Sequence, residues 1–176
     1  AAIAAMSIVM RIVMFSNSVL LGLGQGFQPV CGFNYGARIY GRVKKAFWFC
    51  VKFSTIGLCL STIAAWIFAP EIIAIFRSDD EDVIRIGALA LRLQFATSTL
   101  MGWVIMNNMM LQTIGKSFSA SLMALARQGL FLLPCLFALT RALGLLGIQI
   151  SQPIADVATF ALSIPLYIRL MDEMKT

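Results

Sequence analysis

The chain has 176 residues, of which 60% are hydrophobic and 12% charged, with no histidine and a formal net charge of +6; its mean hydropathy is +0.87. A soluble domain of that length leaves much of its surface in water and has no means of covering so many apolar side chains, so the composition excludes an ordinary globular domain and indicates a membrane protein. The basic residues lie beside apolar runs rather than in a stripe interleaved with aromatics, which excludes nucleic acid and makes membrane lipids the expected surroundings.

A helix needs about 20 mostly apolar residues to cross a hydrocarbon core, and five such segments follow one another. The first covers about 4–31 and opens on AAIAAMSIVMRIVMF, inside an apolar run without an initiator methionine, basic leader or cleavage site; a preceding portion of a longer protein is therefore expected. Its second half carries Gly22, Gly24, Gln25, Gly26, Gln28 and Pro29, which make a poor regular helix and predict either a bend or close packing through small residues. The connection over 35–45, YGARIYGRVKK, leads into a second span over about 46–69 that is expected to stop at Pro70. A third covers about 83–111, a fourth 117–139 and a fifth 146–170, with Gly144 and Gly147 in the last turn. The fold class expected is an all-α polytopic membrane protein, with residues 1–176 forming a single transmembrane domain.

Orientation follows from lysine and arginine in the short loops. Arg38, Arg42, Lys44 and Lys45 place the first connection in the cytoplasm, and the acidic segment 70–82, with Arg77 beside Glu71, Asp79, Asp80, Glu81 and Asp82, outside. Lys116 and the tail with Arg169 and Lys175 then fall inside, and Arg141 is the one exception.

Chemistry is sparse. There is no nucleophile motif, no phosphate-cradling loop and no pair of carboxylates at helical spacing within a span, so an enzyme is not expected. Cys31, Cys50, Cys59 and Cys135 lie in apolar stretches without metal-ligand spacing, so no metal site is expected and they read as small buried hydrophobes. The informative residues are polar groups inside the spans, where they are costly unless partnered. Asp156 is the acidic residue deep in a span, and Arg127 lies at a similar depth in the preceding one. The two are expected to pair near the midplane, either as a structural pair that fixes helix register or as part of a transport pathway. A second group is Gln94, Asn107, Asn108 and Gln112; the spacings from Gln94 to Asn108 and Gln112 put those three on one face of a continuous helix, toward a wet cavity or toward other helices. Lys52 and Arg85 are close enough to the surfaces to snorkel, whereas Arg11 and Arg92 sit deeper without an assignable partner. The ten methionines suit an adaptable apolar interior.

Three stretches carry a family resemblance. GLGQGFQPVCGFNYGARIYGRVKK resembles the helix and cytoplasmic loop that mark the second lobe of multidrug and toxic compound extrusion transporters. LQTIGKSFSASLMALARQGLFLLP and GLLGIQISQPIADVATF are similar to later helices of the same lobe. Gln25, Gly26, Gln28, Pro29, Asn34, Tyr35, Gly36 and Ala37 match the first motif, Arg127 and Pro134 the second, and Pro153 and Asp156 the third. The resemblance implies two six-helix lobes, of which this chain supplies about five helices of the C-terminal one, with the N-terminal lobe as the partner that is missing. It implies a bacterial inner (plasma) membrane location and export of small, often cationic drugs by alternating access in exchange for H⁺ or Na⁺. The candidates for helix bending and the cytoplasmic gate are Gln25, Gly26, Gln28, Pro29, Asn34, Tyr35, Gly36 and Pro153. Some members use an acidic residue in the tenth helix for the coupling ion, but the third span here has none, so the coupling ion is expected mainly in the N-terminal lobe and no cofactor is expected. Two other functions fit the same architecture: a lipid-linked oligosaccharide flippase, favoured by Arg11, Arg92 and Arg127, and a non-transporting membrane subunit.

Overall fold

A computed structural model describes residues 2–76 and 80–174. Its elements are α1 (Ala2–Gly36), α2 (Tyr40–Phe76), α3 (Glu81–Ala96), α4 (Ser98–Thr113), α5 (Ser117–Leu125), a π-helical segment (Ala126–Phe131), α6 (Leu132–Leu143) and α7 (Leu145–Glu173). No strand occurs among the described residues. Helices satisfy their own backbone groups, which is the condition for crossing hydrocarbon. Four of the helical stretches are long and apolar enough to span a membrane, and a fifth span results when α3 and α4 are taken as one bent unit. The chain is thus an all-α polytopic membrane protein, with large apolar side chains such as Ile3, Phe15, Phe33, Phe53 and Ile75 facing outward, as a lipid-facing surface requires.

Two apolar clusters hold the spans together. One lies toward the end with the α1–α2 turn and gathers Phe27, Phe47, Met106, Met110, Leu111, Met123 and Leu170. Phe47 is its hub, with its ring 5.1 Å from that of Tyr167 and 5.5 Å from that of Trp103. The other lies toward the opposite end and joins Val9, Ala69, Ile73, Val83, Leu91 and Phe95. Several methionines are thus core residues. Short contacts set helix spacing: a Cβ on Gly102 would lie 2.8 Å from the Ser54 hydroxyl, and one on Gly147 would overlap the Leu139 carbonyl oxygen. Gly147 belongs to α7, whereas the turn itself is made by Gly144 at φ +59°.

Several sequence expectations are corrected. Pro70 does not end the second span; α2 kinks at Phe68 (φ −102°, ψ 18°) and continues to Phe76. Proline forbids one backbone hydrogen bond but leaves the following residues free to stay helical, and Ala69 and Ile73 are buried in the second cluster. The segment 35–45 is mostly helix: only the turn after Gly36 interrupts it, with Arg38 in the left-handed region at φ +59° and α2 restarting at Tyr40. α1 remains helical through Pro29 to Gly36. The third span breaks at Thr97, where α3 and α4 meet at 48°. Thr97 has φ −100° and ψ −7°, and the Ser98 hydroxyl donates to the Phe95 carbonyl at 2.8 Å, an alternative to the helical ladder that serine readily offers. Arg77, Asp79 and Lys175, which entered the orientation argument, lie outside the described residues.

Candidate functional site

The site is built on the hairpin of α6 and α7. Upstream of it, the regular helix of α5 widens into the π segment Ala126–Phe131. Pro134 lacks the N–H that would bond the Leu130 carbonyl, and Gly129 loosens the same turn, so the chain there gives up α geometry cheaply. Segments of this kind recur at functional sites. Here the wide turn carries Arg127.

Arg127 donates its Nε to Asp156 Oδ1 at 3.1 Å. Gln152, one helical turn before Asp156, donates its Nε2 to the same oxygen at 3.1 Å. The Asp156 side chain is 3% exposed and that of Arg127 is 23% exposed. At 1.5 Å per residue, Arg127 lies roughly 15 Å along the fourth span from Ser117, and Asp156 roughly 16 Å along α7 from Leu145. Both therefore lie about midway along their helical spans, and in hydrocarbon an isolated charge at such a position would be strongly unfavourable. The arrangement holds a carboxylate in a defined position with a guanidinium and an amide aimed at one of its oxygens.

Asp156 belongs to a longer polar face of α7. Gln149, Gln152, Asp156, Thr159 and Ser163 recur at alternating steps of three and four, which aligns them on one side of the helix. Gln149, Asp156, Thr159 and Ser163 are all buried. At the far end of this face, Ser163 joins α7 to α4: the Trp103 indole N–H donates to its Oγ at 3.0 Å, and Asn107 Nδ2 donates to its carbonyl at 2.9 Å.

The remaining candidates are dispersed. Gln94 is on α3, beyond the 48° break from Asn108 and Gln112, so the three share no continuous face. Asn107 is fully buried between α4 and α7, an interhelical bond rather than a cavity wall. Gln112 Nε2 donates to Asn108 Oδ1 at 3.4 Å, on an exposed part of the same helix. Gln25 and Gly26 are exposed, and Gln28 Nε2 donates to the Met109 sulfur at 3.2 Å. Asn34, Tyr35 and Gly36 shape the α1–α2 turn: Asn34 Nδ2 donates to the Val30 carbonyl at 2.7 Å, the Ile39 amide donates to the Asn34 carbonyl at 2.8 Å, and the Tyr35 and Tyr40 rings are 5.5 Å apart. Pro153 lies one position after Gln152 and leaves α7 helical. Among the described residues no group of three or more metal-ligating side chains comes together.

Comparisons with known proteins place this arrangement in a family. The MatE family model matches residues 1–138, and the chain belongs to that family. It is 27% identical over 175 residues to the multidrug export protein MepA of Staphylococcus aureus (strain MSSA476), a match covering 99% of this chain and 38% of MepA. Two solved structures of a multidrug resistance MATE family transporter of the MOP superfamily share the fold. The inward-facing one has a TM-score of 0.87 at 19% identity, covering 95% of this chain and 39% of that one. The outward-facing one has a TM-score of 0.89 at 20% identity, covering 98% and 39%. The chain therefore spans well under half the length of the relatives it matches.

Proposed function

We propose that this chain is most of the C-terminal lobe of a drug exporter in the bacterial inner membrane, working by alternating access in exchange for H⁺ or Na⁺. The observation that carries this reading is the Arg127–Asp156–Gln152 cluster, two opposite charges held at mid-span by a π-helical turn. A subunit with only a structural task has no need of ionised groups at that depth, and apolar residues would hold the helices at least as well. The likeness to both inward- and outward-facing relatives supports a lobe that moves largely as one body. With no carboxylate in the apolar part of α3 and α4, the main coupling ion is assigned to the N-terminal lobe, and Asp156 to the moving wall of this one. The turn at Ala37–Ile39 is assigned to the cytoplasmic side, and the end near Asp80 to the outside.

The test is transport by the full-length parent in proteoliposomes, with a cationic dye loaded and an inward gradient of H⁺ or of Na⁺ applied. Dye movement driven by one of the gradients is the expected result. No movement under either gradient, from protein shown to be folded and inserted, contradicts the reading.

A further inference from the structure

We propose that the cavity between α3 and the start of α7 binds an amphipathic organic anion, a carboxylate or phosphate on an apolar body. The cavity has a volume of about 540 Å³ and is walled by Ile84, Leu89, Leu145 and Leu146, with Arg85, Arg92 and Gln149 as its polar groups. That size falls within the usual range of small-molecule sites. Its charged lining is wholly cationic, which sets the sign of the ligand.

Three independent features converge on the same sign. Arg92 is half-buried and its Nε donates to the Trp66 carbonyl at 3.2 Å, which leaves its terminal amino groups uncommitted among the described residues. Arg85 is largely exposed at the edge of the cavity, and among the described residues its ion pair is a 3.6 Å contact to Asp82 that is exposed on both sides. Such a pair contributes little and yields to a better-placed anion. Leu145 and Leu146 are the first residues of α7, a helix whose N-cap, Gly144, has no side chain to satisfy the leading amides. A long helix presents partial positive charge at such an end.

Gln149 supplies the fourth feature. It is 3% exposed, its Oε1 has no hydrogen-bond partner among the described residues, and it lines the cavity. A buried amide without a partner is unfavourable unless something polar completes it. The Oε1 oxygen accepts, so a hydroxyl or amine beside the ligand's oxyanion would complete it while the oxyanion meets Arg92. The apolar walls then take the body of the molecule. Either a phospholipid headgroup with part of its chain or a soluble organic acid has this chemistry.

This inference goes beyond drug export and is read by binding rather than transport, so either can fail without the other. The probe is fluorescein, a rigid dye bearing a carboxylate, and the readout is its anisotropy with the purified full-length parent in an uncharged detergent. Saturable binding is expected, weakened about tenfold or more by Arg92→Gln, as loss of a charge-assisted contact predicts, and weakened to a lesser degree by Arg85→Gln and by Gln149→Leu. Arg141→Gln, outside the cavity, leaves it unchanged. Arg85 is largely exposed, so Arg85→Gln keeps the test valid if Arg92→Gln fails to fold. Added phosphatidylglycerol distinguishes the sources: competition assigns the site to lipid, and its absence to a soluble acid. No saturable binding, or equal affinity in Arg92→Gln, or in Arg85→Gln where Arg92→Gln does not fold, overturns the proposal.

Discussion

Arg127 and Asp156 meet at 3.1 Å across the hairpin formed by the fourth and fifth spans, and Arg127 is carried there on a π-helical turn. The wide turn changes the direction in which Arg127 leaves the helix relative to the regular α5 before it. Removing one member of a buried pair is far worse than removing both, because a lone buried charge remains. Asp156→Leu is therefore expected to destabilise the full-length parent by about 3–5 kcal/mol, and Arg127→Met combined with Asp156→Leu to recover most of that. Thermal unfolding of the purified proteins measures both; a double variant no more stable than Asp156→Leu would show that the two charges do not interact energetically.

The α6–α7 hairpin depends on Gly147. A methyl group there would overlap the Leu139 carbonyl, which is backbone and has no rotamer to change. Gly147→Ala should lower stability by about 1–3 kcal/mol, as overpacking does. Gly57→Ala, where nothing lies within 4 Å of the added carbon, should be neutral or raise stability by up to about 1 kcal/mol through helix propensity. The same unfolding measurement compares them, and equal effects would remove the hairpin contact as the cause.

Polar contacts between spans should differ in weight according to burial. Trp103→Phe loses one hydrogen bond to Ser163 and is expected to cost about 0.5–1.5 kcal/mol. Asn107→Leu loses the bond to the Ser163 carbonyl but also removes an Oδ1 that has no partner among the described residues, so its net effect should stay within about 1 kcal/mol. Lys116 bridges the α4–α5 turn to Glu173 with both side chains well exposed; Lys116→Ala should change stability by no more than about 1 kcal/mol. A loss larger for Lys116→Ala than for Trp103→Phe would reverse this ranking.

Topology is testable at the α1–α2 turn. A cysteine replacing exposed Gly41 in the full-length parent, with the native cysteines replaced, should react with a membrane-impermeant maleimide only after the cytoplasmic side is opened. A cysteine replacing exposed Glu81 should react in intact cells. The opposite pattern would invert the assigned orientation.

The span pattern was legible because apolar length is read directly from composition, and the Arg127–Asp156 pair because two mid-span charges on adjacent antiparallel helices have few other partners. The break at Thr97 was not legible: Thr97 and Ser98 act through side-chain bonds to the backbone that leave no mark on hydropathy, and without it Gln94 looked continuous with Asn108. Pro70 misled because a proline permits a kink as readily as an end. The π segment had a signal in Gly129 and Pro134, but such pairs also occur in ordinary helices. The polar face of α7 was present in the spacing of Gln149, Gln152, Asp156, Thr159 and Ser163, yet its importance emerged only once α4 and the π segment were seen against it.

The most direct test of the proposed role is dye efflux from cells expressing the full-length parent as wild type, Asp156→Asn, and Asp156→Asn with Arg127→Gln, at matched levels in the membrane. If the carboxylate takes part in the transport cycle, efflux is lost in Asp156→Asn and stays lost in the double variant, although removing both charges relieves the unpaired arginine. Efflux unchanged in Asp156→Asn, or restored in the double variant, would contradict that role and make the pair a structural fastening between two spans.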